Sequence, residues 1–137
     1  MYPEELVAPM KEELTTVGFE ELITPEDVDN VLKNSEGTVL MMINSVCGCA
    51  AGSARPGIKI AVENEKKPDR LTTVFAGVDT EATAQARTYL LPFAPSSPSI
   101  ALFKDGKLVH FIERHEIEGR PAELIAQNLT SAFNSYC

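Results

Sequence analysis

The chain has 137 residues, 44% hydrophobic and 23% charged, with 12 basic residues against 20 acidic ones and a net charge of −8. That length suits one domain, residues 1–137, able to bury about two thirds of its unfolded surface without help from disulfides or metal. An acidic balance with no basic stripe speaks against nucleic acid and anionic membrane as partners, and no apolar run approaches the length of a membrane span.

Pro3 to Thr16 carries Leu6, Val7, Met10 and Leu14 on one helical face, with Pro3 near the first turn and Gly18 as a stop. Phe19 to Ile23 is a short strand candidate. Thr24-Pro25-Glu26-Asp27 opens a second helix with an N-cap hydroxyl, proline at the first position and acids in the first turn. Val28, Val31 and Leu32 form its core face, and Gly37 is expected to end it. Thr38 to Ile43 is a strand apolar on both faces, which predicts a central place in a covered sheet.

Ala50 to Lys66 reads as a helix with Ile58, Ala61 and Val62 inward and a kink at Pro56-Gly57, because proline removes an interior hydrogen bond. Leu71 to Ala76 is a second buried strand, and Asp79-Thr80-Glu81 caps a helix running to about Leu90. A proline-rich connection, Pro92 to Pro98, leads to strands Ser99–Phe103 and Lys107–Ile112, joined through the hairpin signal Asp105-Gly106. Glu116 to Arg120 is a connecting turn. Pro121 to Phe133 closes the chain as an amphipathic helix with Leu124, Ile125, Leu129 and Phe133 on its apolar side.

After one extra N-terminal helix the order is βαβαβα followed by ββα. That order predicts an α/β class fold, a thioredoxin-like three-layer α/β/α sandwich with a mixed sheet. The acidic N-terminus lacks a basic n-region and an apolar h-region, so the chain reads as cytoplasmic. Three cysteines, an odd number, do not suggest a secreted disulfide framework.

Chemistry concentrates in Asn44-Ser45-Val46-Cys47-Gly48-Cys49-Ala50-Ala51-Gly52, where the strand gives way to a helix. A free cysteine is only about 3% thiolate at pH 7, and lowering its pKa by about two units makes thiolate the majority species. Cys47, just ahead of the helix, is placed to receive that shift from unpaired backbone N–H groups. Cys49 lies further in, to resolve a mixed disulfide or to stabilise the Cys47 thiolate through its own S–H. Gly48 can supply strained or positive-φ conformations that bring the sulfurs together. A disulfide across so small a ring would be strained and oxidising, which suits exchange and isomerisation better than strong reduction.

The alternative is a soft-metal site, with Cys137, His110 or His115 as distant ligands, although no second ligand pair is present. Ser97-Pro98-Ser99 precedes the fourth strand, where this fold carries a cis-proline loop facing the redox pair. Arg55 and Lys59 could favour a thiolate or an anionic ligand, or could be solvated surface cations. His110 and His115 read as structural. Cys137 could be a bystander, a dimer cross-link or an accessory thiol.

Asn-Ser-Val-Cys-Gly-Cys-Ala-Ala-Gly-x-Ala-Arg-Pro (Asn44 to Pro56) resembles the signature of the bacilliredoxins. So do Ala94-Pro-Ser-Ser-Pro-Ser99, Val109-His-Phe-Ile112, Arg114-His-Glu-Ile-Glu-Gly119, the closing Tyr136-Cys137 and the stretch from Pro9-Met10 to Phe19-Glu-Glu-Leu22. The resemblance runs nearly the full length. It implies a thioredoxin-like fold and removal of bacillithiol from S-bacillithiolated client proteins, with Cys47 attacking and Cys49 or free bacillithiol regenerating it. Bacillithiol is then a co-substrate rather than a bound cofactor, and a recycling disulfide reductase is an implied partner of a monomer or weak homodimer. General disulfide isomerisation is the alternative activity. The malate carboxylates of bacillithiol favour Arg55 or Lys59 as an anion contact; Gly48, Ser97 and Pro98 are the other expected substrate-site residues.

Overall fold

The computed structural model describes residues 2–33 and 36–137. Five strands form one mixed sheet: β1 (Glu20–Glu21), β2 (Thr38–Asn44), β3 (Arg70–Phe75), β4 (Ser99–Lys104) and β5 (Lys107–Ile112). Their order across the sheet is β1-β3-β2-β4-β5. The pairs β1/β3 and β2/β3 run parallel, whereas β2/β4 and β4/β5 run antiparallel.

All seven residues of β2 are buried, as a strand covered on both faces must be. Its side chains alternate between two cores. Leu40 and Met42 join Leu14, Ala54, Ile58, Ile125 and Phe133 on one face, under α1 (Glu4–Thr15), α3 (Arg55–Ala61) and α6 (Ala122–Tyr136). Val39, Met41 and Ile43 join Val28, Val31 and Ala86 on the other, under α2 (Pro25–Leu32) and α4 (Thr80–Thr88). This is the three-layer sandwich that the element order predicts.

Several local expectations are refined. The α2 N-terminus is a full capping box: the Thr24 hydroxyl accepts the Asp27 N–H at 3.1 Å, and the Asp27 carboxylate accepts the Thr24 N–H at 3.2 Å. Gly37 does not end that helix, which closes at Leu32. Residues 34 and 35 lie outside the described residues, and Gly37 takes a positive φ of 84° in the turn that enters β2. Asp79 makes no side-chain cap for α4; its carboxylate pairs with Lys11 at 3.3 Å instead. Leu6 and Leu124 point outward, 45% and 48% exposed, because the buried face of each terminal helix is narrower than its apolar stripe. The segment expected as a turn at 116–120 begins inside a short helix, α5 (Arg114–Ile117), whose N-terminus is capped by Glu113 and Glu116.

The interruption expected at Pro56-Gly57 takes another form. A π-helical turn, Ala50–Ala54, precedes α3, and the Arg55 N–H donates to the Ala50 carbonyl five residues back. Pro56 then falls in the first turn of α3, where its missing N–H costs little, and the helix ends at Ala61 rather than Lys66. Gly57 serves packing: a Cβ there would lie 2.7 Å from Ile125 Cβ and 2.9 Å from the Ala122 carbonyl oxygen. Gly57→Ala therefore pushes α3 off α6. We expect it to lower unfolding free energy by about 2 kcal/mol in a urea titration, and a loss under about 0.5 kcal/mol would show that α6 yields freely.

Candidate functional site

The redox turn begins where β2 ends. The Asn44 side-chain carbonyl accepts the Ser45 N–H at 2.9 Å, while its amide donates to the Met10 carbonyl on α1 at 3.3 Å. The Cys47 N–H donates to the Ser45 hydroxyl oxygen at 3.3 Å. The Cys47 carbonyl accepts the N–H groups of Ala50 and Ala51 at 3.1 and 3.2 Å, which opens the helical segment with Cys47 at its head.

Both sulfurs are half-buried, and they lie 2.7 Å apart. They are not equivalent. Burial pushes the Cys47 thiol up, but hydrogen bonds from the Cys49 thiol, the Ser45 hydroxyl and the backbone N–H groups of Ala50 and Cys49 hold it below the ordinary cysteine value. Burial raises Cys49, and so do its hydrogen bond to Cys47 and the negative charge that forms there. Cys49 packs against the core on the α3/α6 side.

Cys47 lines a cleft of about 330 Å³, together with Ser45, Val46, Ala76 and Gly77. Tyr2, Arg87, Ser97 and Arg114 complete its wall, whereas Cys49 is not part of it. The Ser97–Pro98 peptide bond is cis, and Ser97 faces the cleft while Pro98 is buried behind it. Arg114 Nη1 donates to the Ser97 carbonyl and Arg87 Nη1 to the Ser96 carbonyl, each at 3.1 Å.

Three of the site residues expected from sequence are placed differently. Arg55 is 1% exposed and does not line the cleft. Its Nη1 donates to the Ser45 carbonyl at 2.8 Å and to Asn44 Oδ1 at 3.0 Å, and its Nε donates to Glu13 at 3.0 Å. It holds the turn from beneath rather than meeting an anion in front. Gly48 has no positive φ; it sits in the first helical turn, where a Cβ would meet no protein atom within 4 Å. The sulfurs come together without a special glycine conformation. Lys59 lies on another surface, beside Pro56, Ile60 and Glu63.

The remaining metal-capable groups do not gather around the cysteines. His110 bonds Asn128 at 2.5 Å and His115 bonds Glu113 at 3.2 Å. Among the described residues the one cluster of three candidate ligands is Glu113, His115 and Glu116, which includes neither cysteine. Thr38 and Asp69 act on the Cys137 thiol, which puts it beside the start of β2. Six residue steps along that strand, about 20 Å, separate this end from the redox turn.

Arg114 is the residue that reading in chain order misses. The register could have found it: Ile43 pairs with Ser99, and Ile100 pairs with Ile112, so the end of β5 returns beside the end of β2. Arg114, two residues on, reaches the cleft.

No helix among the described residues is long and apolar enough to cross a membrane. Comparison with known proteins gives concordant results. Residues 2–137 match the family model described as disulphide isomerase. A bacilliredoxin of Cytophaga hutchinsonii is 60% identical over 98% of this chain and 98% of its own length. A bacilliredoxin of Halalkalibacterium halodurans is 54% identical over 99% of this chain and 94% of its own. Oxidised mitochondrial thioredoxin 3 of Saccharomyces cerevisiae superposes with a TM-score of 0.61 at 14% identity, covering 90% of this chain and 98% of that one. At that identity the likeness speaks for the thioredoxin fold alone.

Two outcomes follow from the geometry. Alkylation tracks the thiolate, so the rate at Cys47, followed peptide by peptide by mass spectrometry, should rise with pH to a midpoint below that of an ordinary cysteine. Cys49→Ala removes a donor that favours the thiolate, so the midpoint should move up; a midpoint that stays or falls would contradict the assigned hydrogen bond. Arg55→Leu leaves the Ser45 carbonyl without its buried donor and takes from Asn44 Oδ1 one of its two donors. Its expected cost is about 3 kcal/mol in denaturant unfolding, and a cost under about 1 kcal/mol would show that the turn stands without it.

Proposed function

The chain belongs to the bacilliredoxin family, thiol–disulfide oxidoreductases on a thioredoxin fold, and from that premise we propose that it removes bacillithiol from S-bacillithiolated proteins. The supporting observation is the unequal treatment of the two sulfurs. Cys47 borders the cleft with its thiol held down, and Cys49 lies off the cleft with its thiol pushed up. A nucleophile needs access and ionisation; a resolving thiol needs proximity and should stay protonated until it is required.

In the proposed reaction the Cys47 thiolate attacks the bacillithiol sulfur of a client–S–S–bacillithiol bond. A Cys47–S–S–bacillithiol bond forms, the client sulfur leaves as thiolate, and the client is restored. Cys49, after losing its proton, then attacks Cys47, giving a Cys47–Cys49 disulfide and releasing bacillithiol as thiol. Free bacillithiol can attack instead, leaving Cys47 as thiolate and bacillithiol as its own disulfide. Either route leaves one disulfide, which a recycling disulfide reductase must reduce. The cytoplasm, where thiols are kept reduced, is the compartment we assign to this cycle.

The description of the matching family model as disulphide isomerase favours a second reading, rearrangement of protein disulfides without bacillithiol. One pair of measurements separates the two. The Cys49→Ala variant, mixed with a bacillithiolated client, should accumulate a bacillithiol adduct on Cys47 by intact-protein mass spectrometry. Absence of the adduct, together with recovery of activity from a scrambled-disulfide substrate, would replace the first reading by the second.

A further inference from the structure

The cleft wall has a charge opposite to that of the chain. The protein carries a net charge of −8, yet the residues around this cleft include Arg87 and Arg114 and no aspartate or glutamate. Each guanidinium spends only part of its donor fork on the loop ahead of β4. Arg87 gives Nη1 to the Ser96 carbonyl; Arg114 gives Nη1 to the Ser97 carbonyl and Nε to Glu118. A guanidinium has five N–H donors. Among the described residues no protein acceptor takes the Nη2 group of either arginine.

Paired donors on one wall suit a planar carboxylate, which accepts two parallel N–H bonds from such a fork. Arg114 and Cys47 line the same cleft, so an anion held by Arg114 would share that cleft with the reacting sulfur. A volume of about 330 Å³ has room for the small-thiol half of a mixed disulfide.

We propose that Arg114, together with Arg87, binds a carboxylate on the small-thiol half of the disulfide that Cys47 attacks, so that the cleft selects disulfides of anionic low-molecular-weight thiols. The proposal rests on Cys47 being the attacking sulfur. Its step is a plain exchange: the Cys47 thiolate bonds to the small-thiol sulfur, the old S–S bond breaks, and the other half leaves as thiolate. No external electrons are needed. An acidic side chain on the client half would offer the same chemistry, but the proposal places the carboxylate on the small thiol.

The test uses the full chain carrying Cys49→Ala, so that the adduct on Cys47 persists and can be counted by mass spectrometry. Three symmetrical probes are compared: the dianionic disulfide of 3-mercaptopropionate, the neutral disulfide of 2-mercaptoethanol, and dicationic cystamine. The readout is the ratio of the dianion rate to the neutral rate, in which any change in Cys47 ionisation cancels. Adding Arg114→Gln should lower that ratio about tenfold and raise the cystamine-to-neutral ratio. Glu118→Gln, which removes the competing carboxylate from Arg114, should raise the dianion ratio. A further pair of probes joins a short peptide to a small thiol, with the carboxylate on one half or the other. Arg114→Gln should slow the probe with the acid on the small thiol and spare the one with the acid on the peptide.

A dianion ratio within twofold of the parent in Arg114→Gln, a fall in Glu118→Gln, or sensitivity confined to the peptide-borne acid would overturn the proposal. In each of those cases exchange at Cys47 continues and the bacillithiol reading is untouched. Failure of Cys47 to react with any probe would sink both.

Discussion

A guanidinium withdrawn from water sits under the redox turn, and the geometry above it depends on how that charge is satisfied. Burying an ion costs several kcal/mol unless strong hydrogen bonds replace its hydration. Arg55 meets the demand with Glu13 on α1, Asn44 at the end of β2 and the Ser45 carbonyl. One side chain thus ties together the N-terminal helix, the central strand and the start of α3. Asn44, fixed from below, turns its other contacts to the Ser45 N–H and the Met10 carbonyl. With the Ser45 backbone pinned, its hydroxyl stands beside Cys47, and the N–H groups of Cys49 and Ala50 converge on the same sulfur. Cys49, Ser45 and the backbone hold the Cys47 thiol down, and the Ser45 part of that set is fixed in place by a buried arginine.

Much of this was legible in the chain, for reasons that differ by residue. A strand covered on both faces has to be apolar at every position, so Val39 to Ile43 announces its central place directly. Cys47 and Cys49 are visible because their spacing and the strand-to-helix change are both local. Arg55 was not legible. Its offset from Cys49 says nothing of burial, which arises when α1, more than forty residues earlier, brings Glu13 over it. An arginine is rarely buried without partners, and partners at long range leave no periodic trace.

The Pro56-Gly57 pair shows the same limit from another side. Proline at that place required some interruption of the hydrogen-bond ladder, but sequence could not distinguish a kink from a π-turn placed just ahead of it. The glycine beside it serves packing, set by Ile125 on a helix nearly seventy residues away. Leu6 and Leu124 err in the opposite sense: their helical periodicity is real, but the buried face of each helix stops short of them.

Topology also decides which sulfur can finish what Cys47 begins. The C-terminal ends of β2 and β5 and the N-terminal end of β4 share one edge of the sandwich, which gathers Cys47, Ser97 and Arg114 from three distant segments. Cys137 ends α6 at the opposite edge, near Thr38 and Asp69, with the length of β2 between it and the redox turn. No side-chain rotation spans about 20 Å, since each cysteine reaches only a few ångströms from its backbone and a disulfide needs Cα atoms under about 7 Å apart. Within one chain, therefore, a mixed disulfide on Cys47 can be met only by Cys49. Any other resolving thiol must come through the cleft from solvent, past two arginines and a wall without a single acid.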